Sequence, residues 1–425
     1  MSKEDSLSGL DNRPIVKKFG GSAIGNLKKM RAVCEHIKEE FGLGKKLLIV
    51  VSAMQDTTDD LLVEAKNFFG SKLTDQQRIE VDKLLVTGEQ QAAAKMALVL
   101  DGFGVPAVSL TSWDIELEAD SNGHVTAVRG GDVITRFLNE GKVVVVTGFQ
   151  GVSVNGGIKT ITTLGRGGSD VTAVCLAAAL NAVCENFTDV DGIYTTDPRI
   201  VKTAKRFDII SYDQLGQMAL FGGGKLMKRA ISLAQKLDVK VRVLISPSVG
   251  ISTGGSLVCS GGAIDSFEIT ESLPGLSVQN IGVITISNIP NVPGALDQIY
   301  DALIDYVLLN GIQSLMPPNS KGATISIVFS PGIENDIFAS LIKFHREKMP
   351  MIKIYEARML TALTLIDPLM EDGRGYLRDV CRSLAEVKIN IEGKSAPADI
   401  IQVMVKFEDR EKAALAIAQK FGLVD

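Results

Sequence analysis

The 425-residue chain has only three histidines, and its five cysteines (Cys34, Cys175, Cys184, Cys259 and Cys381) show no CxxC spacing. So few histidines leave no zinc constellation in the sequence. The cysteines fall mostly in apolar helix or strand patterns, which favours buried thiols over a disulfide framework. No apolar run is long enough to span a membrane. A net charge of −5 lacks the basic excess of a nucleic-acid binder. Met1–Arg13 has no apolar signal-peptide core and reads as a disordered tail. No GxGxxG dinucleotide turn follows residue 274. These absences together predict a reduced, soluble, cytoplasmic protein with no nucleic acid, membrane or protein-held metal among its partners.

The length implies two or three domains, each large enough to bury its own core. Strand and helix signals alternate from the start. Pro14–Phe19 reads as a strand, Gly20-Gly21-Ser22 as a turn, and a helix starts near Asn26 with Leu27, Met30, Val33, Cys34 and Ile37 on one face. Lys46–Val51 is nearly all apolar, as a central parallel strand is. Helical patterns cover 59–69 and 74–100. Strands follow at 107–110, 143–147, 183–188 and 239–244, with a helix from near Gly131. A hairpin over Gly151–Thr162, turning at Asn155-Gly156-Gly157, adds an antiparallel pair. The order predicts an α/β domain whose mostly parallel sheet is covered by helices, over residues 14–262.

Ser246–Ala263 is rich in Gly, Ser and Pro, and marks a boundary between Gly261 and Pro274. Beyond it the pattern Gly294-x-Leu296-x-x-Ile299-x-x-x-Leu303 recurs as Gly375-x-Leu377-x-x-Val380-x-x-x-Leu384. Each copy follows an apolar strand and precedes two more strands and a helix. The repeat predicts two βαββαβ units within residues 263–425, at roughly 275–350 and 355–425.

The chain is organised around Thr163–Arg199. Gly165-Arg166-Gly167-Gly168-Ser169-Asp170 is a glycine-rich turn feeding an Ala- and Leu-rich helix. Such a turn lets backbone approach an anion, and the free N–H groups of the first helical turn point at it. Arg166 adds a planar fork for a carboxylate or phosphate, and Asp170 a carboxylate that orients or receives a proton. Thr188-Asp189-Val190-Asp191-Gly192-Ile193-Tyr194-Thr195-Thr196-Asp197-Pro198-Arg199 reads as a loop gripping a polar ligand. A turn with Asp170 as a helix cap would explain the first half alone equally well.

The two halves, with Lys18-Phe19-Gly20-Gly21 near the start, closely resemble the signature of the aspartate kinases of the amino acid kinase superfamily. The resemblance runs from about Ile15 to the end. It implies a three-layer amino acid kinase-like domain followed by two ferredoxin-like ACT domains, interleaved and paired to make effector sites. It implies transfer of the ATP γ-phosphoryl group to the side-chain carboxylate of L-aspartate, the first step toward lysine, threonine and methionine. Mg²⁺ would accompany ATP, lysine or threonine would be the effector, and the chain would form at least a homodimer.

The family's roles carry over residue by residue. Lys18 neutralises charge on the transferring phosphoryl group; Lys17, its neighbour, is the rival. Asp170 is an orienting or electrostatic group, since an ionised carboxylate acceptor needs no strong base. Ser52, Thr58, Glu89, Arg166 and Ser169 would bind the amino acid, with Glu89 on its ammonium and Arg166 on a carboxylate. Gly20, Gly21, Ser22, Thr188, Asp189, Tyr194, Asp197, Arg199 and Lys225 would bind the nucleotide. Ala23 replaces a family hydroxyl, Gln91 a family serine, and Gly224 a family lysine. The segment Ser112-Trp113-Asp114-Ile115-Glu116-Leu117-Glu118 is more acidic than its family counterpart and would weaken anion binding if it faced the pocket. A kinase for another small carboxylate and a catalytically weak amino-acid sensor remain as other readings.

Overall fold

A computed structural model of the protein describes residues 13–69, 73–155, 157–223, 226–261, 273–304, 306, 308–315, 322–367, 370, 375–395 and 400–425. The expected tail to Asn12, Gly156, Gly224, Lys225 and the stretch 396–399 of the second repeat lie outside these. The chain divides into two compact units. The first holds most residues up to Tyr194, Arg206–Leu220 and the chain through the last strand before residue 261. The second holds Thr195–Lys205, Phe221–Gly223 and the chain from Ser272 on.

In the first unit, β1 (Ile15–Phe19) leads through the turn into α1 (Leu27–Gly42), which Asn26 caps by accepting from the Lys29 N–H. Met30, Val33, Cys34 and Ile37 are buried as their spacing predicts, while Leu27 is exposed. β2 (Leu47–Val51) is buried at every position. α2 (Thr57–Phe69) follows. The single helical pattern expected over 74–100 is two helices, α3 (Asp75–Leu85) and α4 (Thr87–Gly102). Thr74 and Gln77 close a capping box on α3. Thr87 donates to the Leu84 carbonyl at 2.7 Å where α3 ends, so Glu89 sits in the first turn of a new helix rather than mid-helix.

β3 (Ala107–Leu110), β4 (Leu117–Ala119), β5 (Val125–Val128), α5 (Gly131–Asn139) and β6 (Val143–Thr147) come next. β7 (Gln150–Asn155) and β8 (Ile158–Thr163) form the expected hairpin. They join β4 and β5 in a separate four-stranded sheet rather than the main one. α6 (Gly168–Ala179), β9 (Val183–Thr188), β10 (Ile193–Tyr194), β11 (Arg206–Phe207), β12 (Ile209–Ser211), α7 (Tyr212–Leu220), α8 (Lys228–Lys236), β13 (Val241–Ile245) and β14 (Ser256–Cys259) complete the unit. The main sheet runs β12-β14-β13-β9-β1-β2-β6-β3, and its only antiparallel neighbours are β13 and β14.

Period-two alternation divides the core. Leu47, Ile49 and Val51 pack with Phe19, Met30, Ile37, Met96 and Leu100 on the α1/α4 face. α6, buried from Gly168 to Ala177, covers the other face of β1, β2 and β9. A helix buried on all sides carries the aliphatic run that marks its sequence.

The second unit is one sheet, built from β15 (Gly275–Pro290), β16 (Leu308–Leu315), β17 (Gly322–Phe329), β18 (Lys353–Ile354), β19 (Arg358–Ile366), β20 (Gly393–Ser395) and β21 (Ile400–Lys406). Its helices are α9 (Ala295–Ala302), α10 (Glu334–Glu347), α11 (Tyr376–Glu386) and α12 (Arg410–Lys420). Gly294 and Gly375, the repeated glycines, both sit in the left-handed region at the helix start, with φ of 81° and 108°. β15, at 16 residues, extends well beyond the apolar run Gly282–Ser287 that marks it in the sequence. Gly282–Pro290 pairs with β17, and Gly275–Val283 pairs with β19. Leu276 packs in the core of the second repeat, and Ile284 and Ile286 in that of the first. One strand therefore threads both repeats. Val201, from the Thr195–Lys205 segment, packs into the second repeat's core.

Candidate functional site

β1, β2, β6 and β9 are parallel neighbours, so their carboxyl ends open on one edge of the sheet, where ligands bind in such folds. Lys18 lies at the end of β1. Its ammonium is 2.7 Å from Asp170 Oδ1, at the N-terminus of α6. Lys17 points to the opposite face, 1% exposed, in ion pairs with Glu40 and Glu185 and above the Phe187 ring. Burial pushes Glu40 upward, but Lys17 and then Lys45 outweigh it and hold the carboxylate below its usual range. Lys17 is thus a core ion-pair residue, and Lys18 is the lysine at the site.

The turn before α6 is held from two sides. Asp82 on α3 accepts from the Thr162 hydroxyl at 3.1 Å and from the Thr163 N–H and hydroxyl at 3.0 and 2.9 Å. Arg229 on α8 donates to the Leu164 carbonyl at 2.6 Å and to the Gly123 carbonyl. Gly167 then takes φ +73°, a left-handed conformation that starts α6 and leaves no room for a Cβ beside Met227. The Ser169 hydroxyl accepts from the Ser52 hydroxyl at 2.9 Å, across from the end of β2. A Cβ at Gly148 would lie 2.6 Å from the Ser169 hydroxyl, so glycine there is what admits Ser169. Arg166 projects exposed from the turn.

Glu89 is 2% exposed. Its Oε1 accepts from the Ala53 N–H at 2.9 Å, while Oε2 is buried without a partner among the described residues. Burial pushes its carboxyl up to about 7, against the lowering effect of the Ala53 N–H. A cavity of about 290 Å³ opens beside it, lined by Gly21, Ser22, Ser52, Ala53 and the turn through Thr58 and Asp59. Lys18, Ser52, Thr58, Glu89, Ser169, Asp170 and the Gly20–Ser22 turn thus gather around one edge of the sheet.

The nucleotide-loop residues divide. Thr188 ends β9, where its hydroxyl closes a tight turn with Val190. Asp189 is exposed, and Tyr194 lies half-buried on β10. Asp197 and Arg199 fall in the second unit, where the Arg199 guanidinium meets the Asp197 carboxylate at 2.7 Å. Lys225 lies outside the described residues.

Sequence reasoning missed two residues here. Asp191 collects the Arg206 guanidinium at 2.9 Å, the Ser252 and Thr253 hydroxyls at 2.6 Å each and the Thr253 N–H at 2.7 Å. It ties the Thr188–Tyr194 loop to the one after β13. The second Asp of Thr-Asp-Val-Asp-Gly was the available signal. Asn186 on β9, 2% exposed, donates to Asp170 Oδ1 at 3.1 Å. An asparagine inside an apolar strand was the signal for it.

The departures from the family pattern also find places. Ala23 packs in the α1/α4 core, so that methyl fills apolar space. Gln91 is exposed and accepts from Lys95 at 3.2 Å. Glu116 and Glu118 pair with Lys159 and Arg129 at 3.6 and 2.6 Å, and Asp114 caps Thr111. Two of the segment's three carboxylates are therefore ion-paired beside the small sheet.

Residues 13–244 match the model of the amino acid kinase family. The aspartokinase of Mycolicibacterium smegmatis is 34% identical over 96% of both chains. The aspartate kinase of Pseudomonas fluorescens is 33% identical over 96% of this chain and 97% of its own. In fold, the chain is similar to Escherichia coli aspartokinase III in complex with aspartate and ADP, with a TM-score of 0.70 and 22% identity over 96% of this chain and all of that one. No helix among the described residues is long and apolar enough to cross a membrane. The lysine-anchored sheet edge, the glycine turn feeding a buried helix and these likenesses agree, and the chain belongs to the aspartokinases of the amino acid kinase family.

Proposed function

We propose that the protein is an aspartate kinase in which Lys18, Asp170, Ser52, Ser169, Glu89 and Arg166 form the working site. The observation carrying this reading is the Lys18–Asp170 pair, seated beside a carboxylate that burial holds near neutrality. A side-chain oxygen of L-aspartate attacks the γ-phosphorus of ATP. The bond from that phosphorus to the β,γ-bridging oxygen breaks, and ADP leaves with its electron pair. The acceptor is already ionised, so no proton has to be removed. Catalysis is then charge stabilisation and positioning. The Lys18 ammonium stabilises the charge that spreads over the transferring oxygens. Glu89 Oε2, lacking a donor, receives the substrate ammonium, and Arg166 clamps a substrate carboxylate. Ser52 and Ser169 exchange their mutual hydrogen bond for bonds to the substrate.

Gly20, Gly21, Ser22, Thr188, Asp189 and Tyr194 hold the nucleotide in this reading. Mg²⁺ enters with ATP and supplies charge neutralisation on the phosphates. The cation would be held mainly by phosphate oxygens and water. The repeats after Ser272 serve as ACT modules that bind lysine or threonine and pair with a second copy of the chain, so that residues 14–262 are catalytic and 263–425 regulatory.

The test is ADP release with Mg-ATP and L-aspartate, against L-glutamate and no acceptor, repeated with lysine and threonine. Aspartate-dependent release is expected. Release with another acceptor alone, or none from folded ATP-binding protein, would overturn the reading.

A further inference from the structure

We propose that Asn186 is a positioning residue for phosphoryl transfer, holding the Asp170 carboxylate and easing the departure of Lys18 from it toward the transferring group. The inference rests on the function proposed above. Asn186 stands opposite Lys18 in the parallel β1–β9 register, so both side chains leave the sheet on the face that α6 covers. Its Nδ2 donates at 3.1 Å to Asp170 Oδ1, the same oxygen that holds the Lys18 ammonium at 2.7 Å. Its own Oδ1 is buried and has no partner among the described residues. A buried, unsatisfied amide oxygen is costly, so its place here calls for an explanation.

The explanation follows from the chemistry. Without ligands, Lys18 directs its charge at Asp170. To stabilise a transferring phosphoryl group the ammonium, which has three N–H donors, has to turn part of its charge toward that group, which leaves Asp170 a less fully compensated buried anion. Asn186 lowers the cost of that turn in two ways. Its N–H stays on Asp170 Oδ1, and its Oδ1 offers the ammonium a second, uncharged acceptor on the same face. An amide suits this task because it accepts without adding a competing negative charge. A leucine of similar size would leave Asp170 with Lys18 as its charged partner and deepen the resting ion pair. An aspartate would pin the lysine more firmly still.

The experiment compares full-length wild type with Asn186→Leu and Asn186→Asp by steady-state kinetics, varying aspartate and ATP separately. The expected result is a kcat lowered about tenfold or more in Asn186→Leu, with both KM values within about twofold, and a larger loss in Asn186→Asp. A kcat within about twofold of wild type, or a loss carried by KM, would overturn the proposal. Should Asn186→Leu fail to fold, Asn186→Ser gives the same comparison. A denaturant double-mutant cycle of Asn186→Leu with Asp170→Ala adds a readout free of turnover, in which coupled losses are expected and additive ones overturn the proposal. Absence of aspartate turnover in the wild type would defeat the functional reading, while this cycle would still decide on Asn186.

Discussion

Replacing Glu89 with glutamine should stabilise the ligand-free protein while impairing aspartate binding, with both effects tied to pH. Glu89 is 2% exposed, and burial carries its carboxyl from 4.5 to about 7. Each pH unit of such a difference is about 1.4 kcal/mol, so keeping this carboxylate ionised in the folded chain costs about 3 kcal/mol. The sign follows from proton binding. Between 4.5 and about 7 the unfolded chain has lost the proton that the folded chain keeps. Stability therefore falls as pH rises through that window, and above it the full cost is present. Glu89→Gln keeps an oxygen for the Ala53 N–H and removes the ionisation. The variant should exceed wild type by up to about 3 kcal/mol in urea at pH 8 and match it near pH 4. Aspartate binding runs the other way, because its ammonium needs the ionised form. Wild-type affinity for aspartate should drop about tenfold from pH 8 to pH 6, and in the variant it should be low and flat. The substrate's own groups do not titrate there. A glutamine variant less stable than wild type at pH 8, or a wild-type aspartate affinity unchanged across that range, would refute the reasoning.

Lys18→Met should lower kcat by about a hundredfold or more while ATP still binds, read by steady-state turnover and calorimetry. Lys17→Met should do the reverse. It removes the partner of the half-buried Glu185 and one of the partners of Glu40, which keeps Lys45, and should cost about 1–3 kcal/mol in denaturant titrations, with kcat of the folded fraction largely kept. Arg166→Ala should raise the aspartate KM about a hundredfold and leave the ATP KM nearly unchanged, since removing a bidentate charged clamp costs about 3 kcal/mol. Gly167→Ala should destabilise by about 1–2 kcal/mol for the left-handed backbone alone, with more from the clash against Met227, measured as a lower Tm.

Much of this fold is written in local pattern. β2 and β6 are buried at every position and read as uninterrupted aliphatic runs. α1 shows its buried face through Met30, Val33, Cys34 and Ile37. The repeated glycines at 294 and 375 announce themselves because only glycine takes a positive φ there cheaply. What local pattern omits is partnership at a distance. β4 and β5 are only three and four residues long, and the sheet they belong to is completed by the β7–β8 hairpin farther along the chain. β15 reads as a six-residue strand, since its first half is polar at Ser277 and Gln279 and finds its partner only in β19. The split between α3 and α4 leaves the helical pattern intact, and it moves Glu89 into a first turn, where the carboxylate can meet the Ala53 N–H. The acidic segment at 114–118 shows the same gap, because the cations that meet Glu118 and Glu116 come from Arg129, just after β5, and Lys159 on β8.

The adjacent lysines show why sequence identity and site identity are separate questions. Lys17 and Lys18 are equal in charge, length and neighbourhood, and composition cannot rank them. The pleat does, by sending successive side chains to opposite faces. Phe19 belongs to the α1/α4 core, so Lys17, two residues before it, must enter the same apolar layer. A buried ammonium there requires carboxylates, and Glu40 on α1 and Glu185 on β9 provide them. Glu185 and Asn186 repeat the alternation one strand over, directly opposite Lys17 and Lys18 in the register. One face thus receives a compensated ion pair whose task is to stay fixed. The other receives a lysine, an amide and the Asp170 carboxylate at the N-terminus of α6, with an amide oxygen left unbonded. A one-residue slip of β1 that brought Phe19 to the Lys18 position would send Lys18 into the α1/α4 layer and leave that face without its cation, so on the proposed reading the strand register is itself a requirement of catalysis.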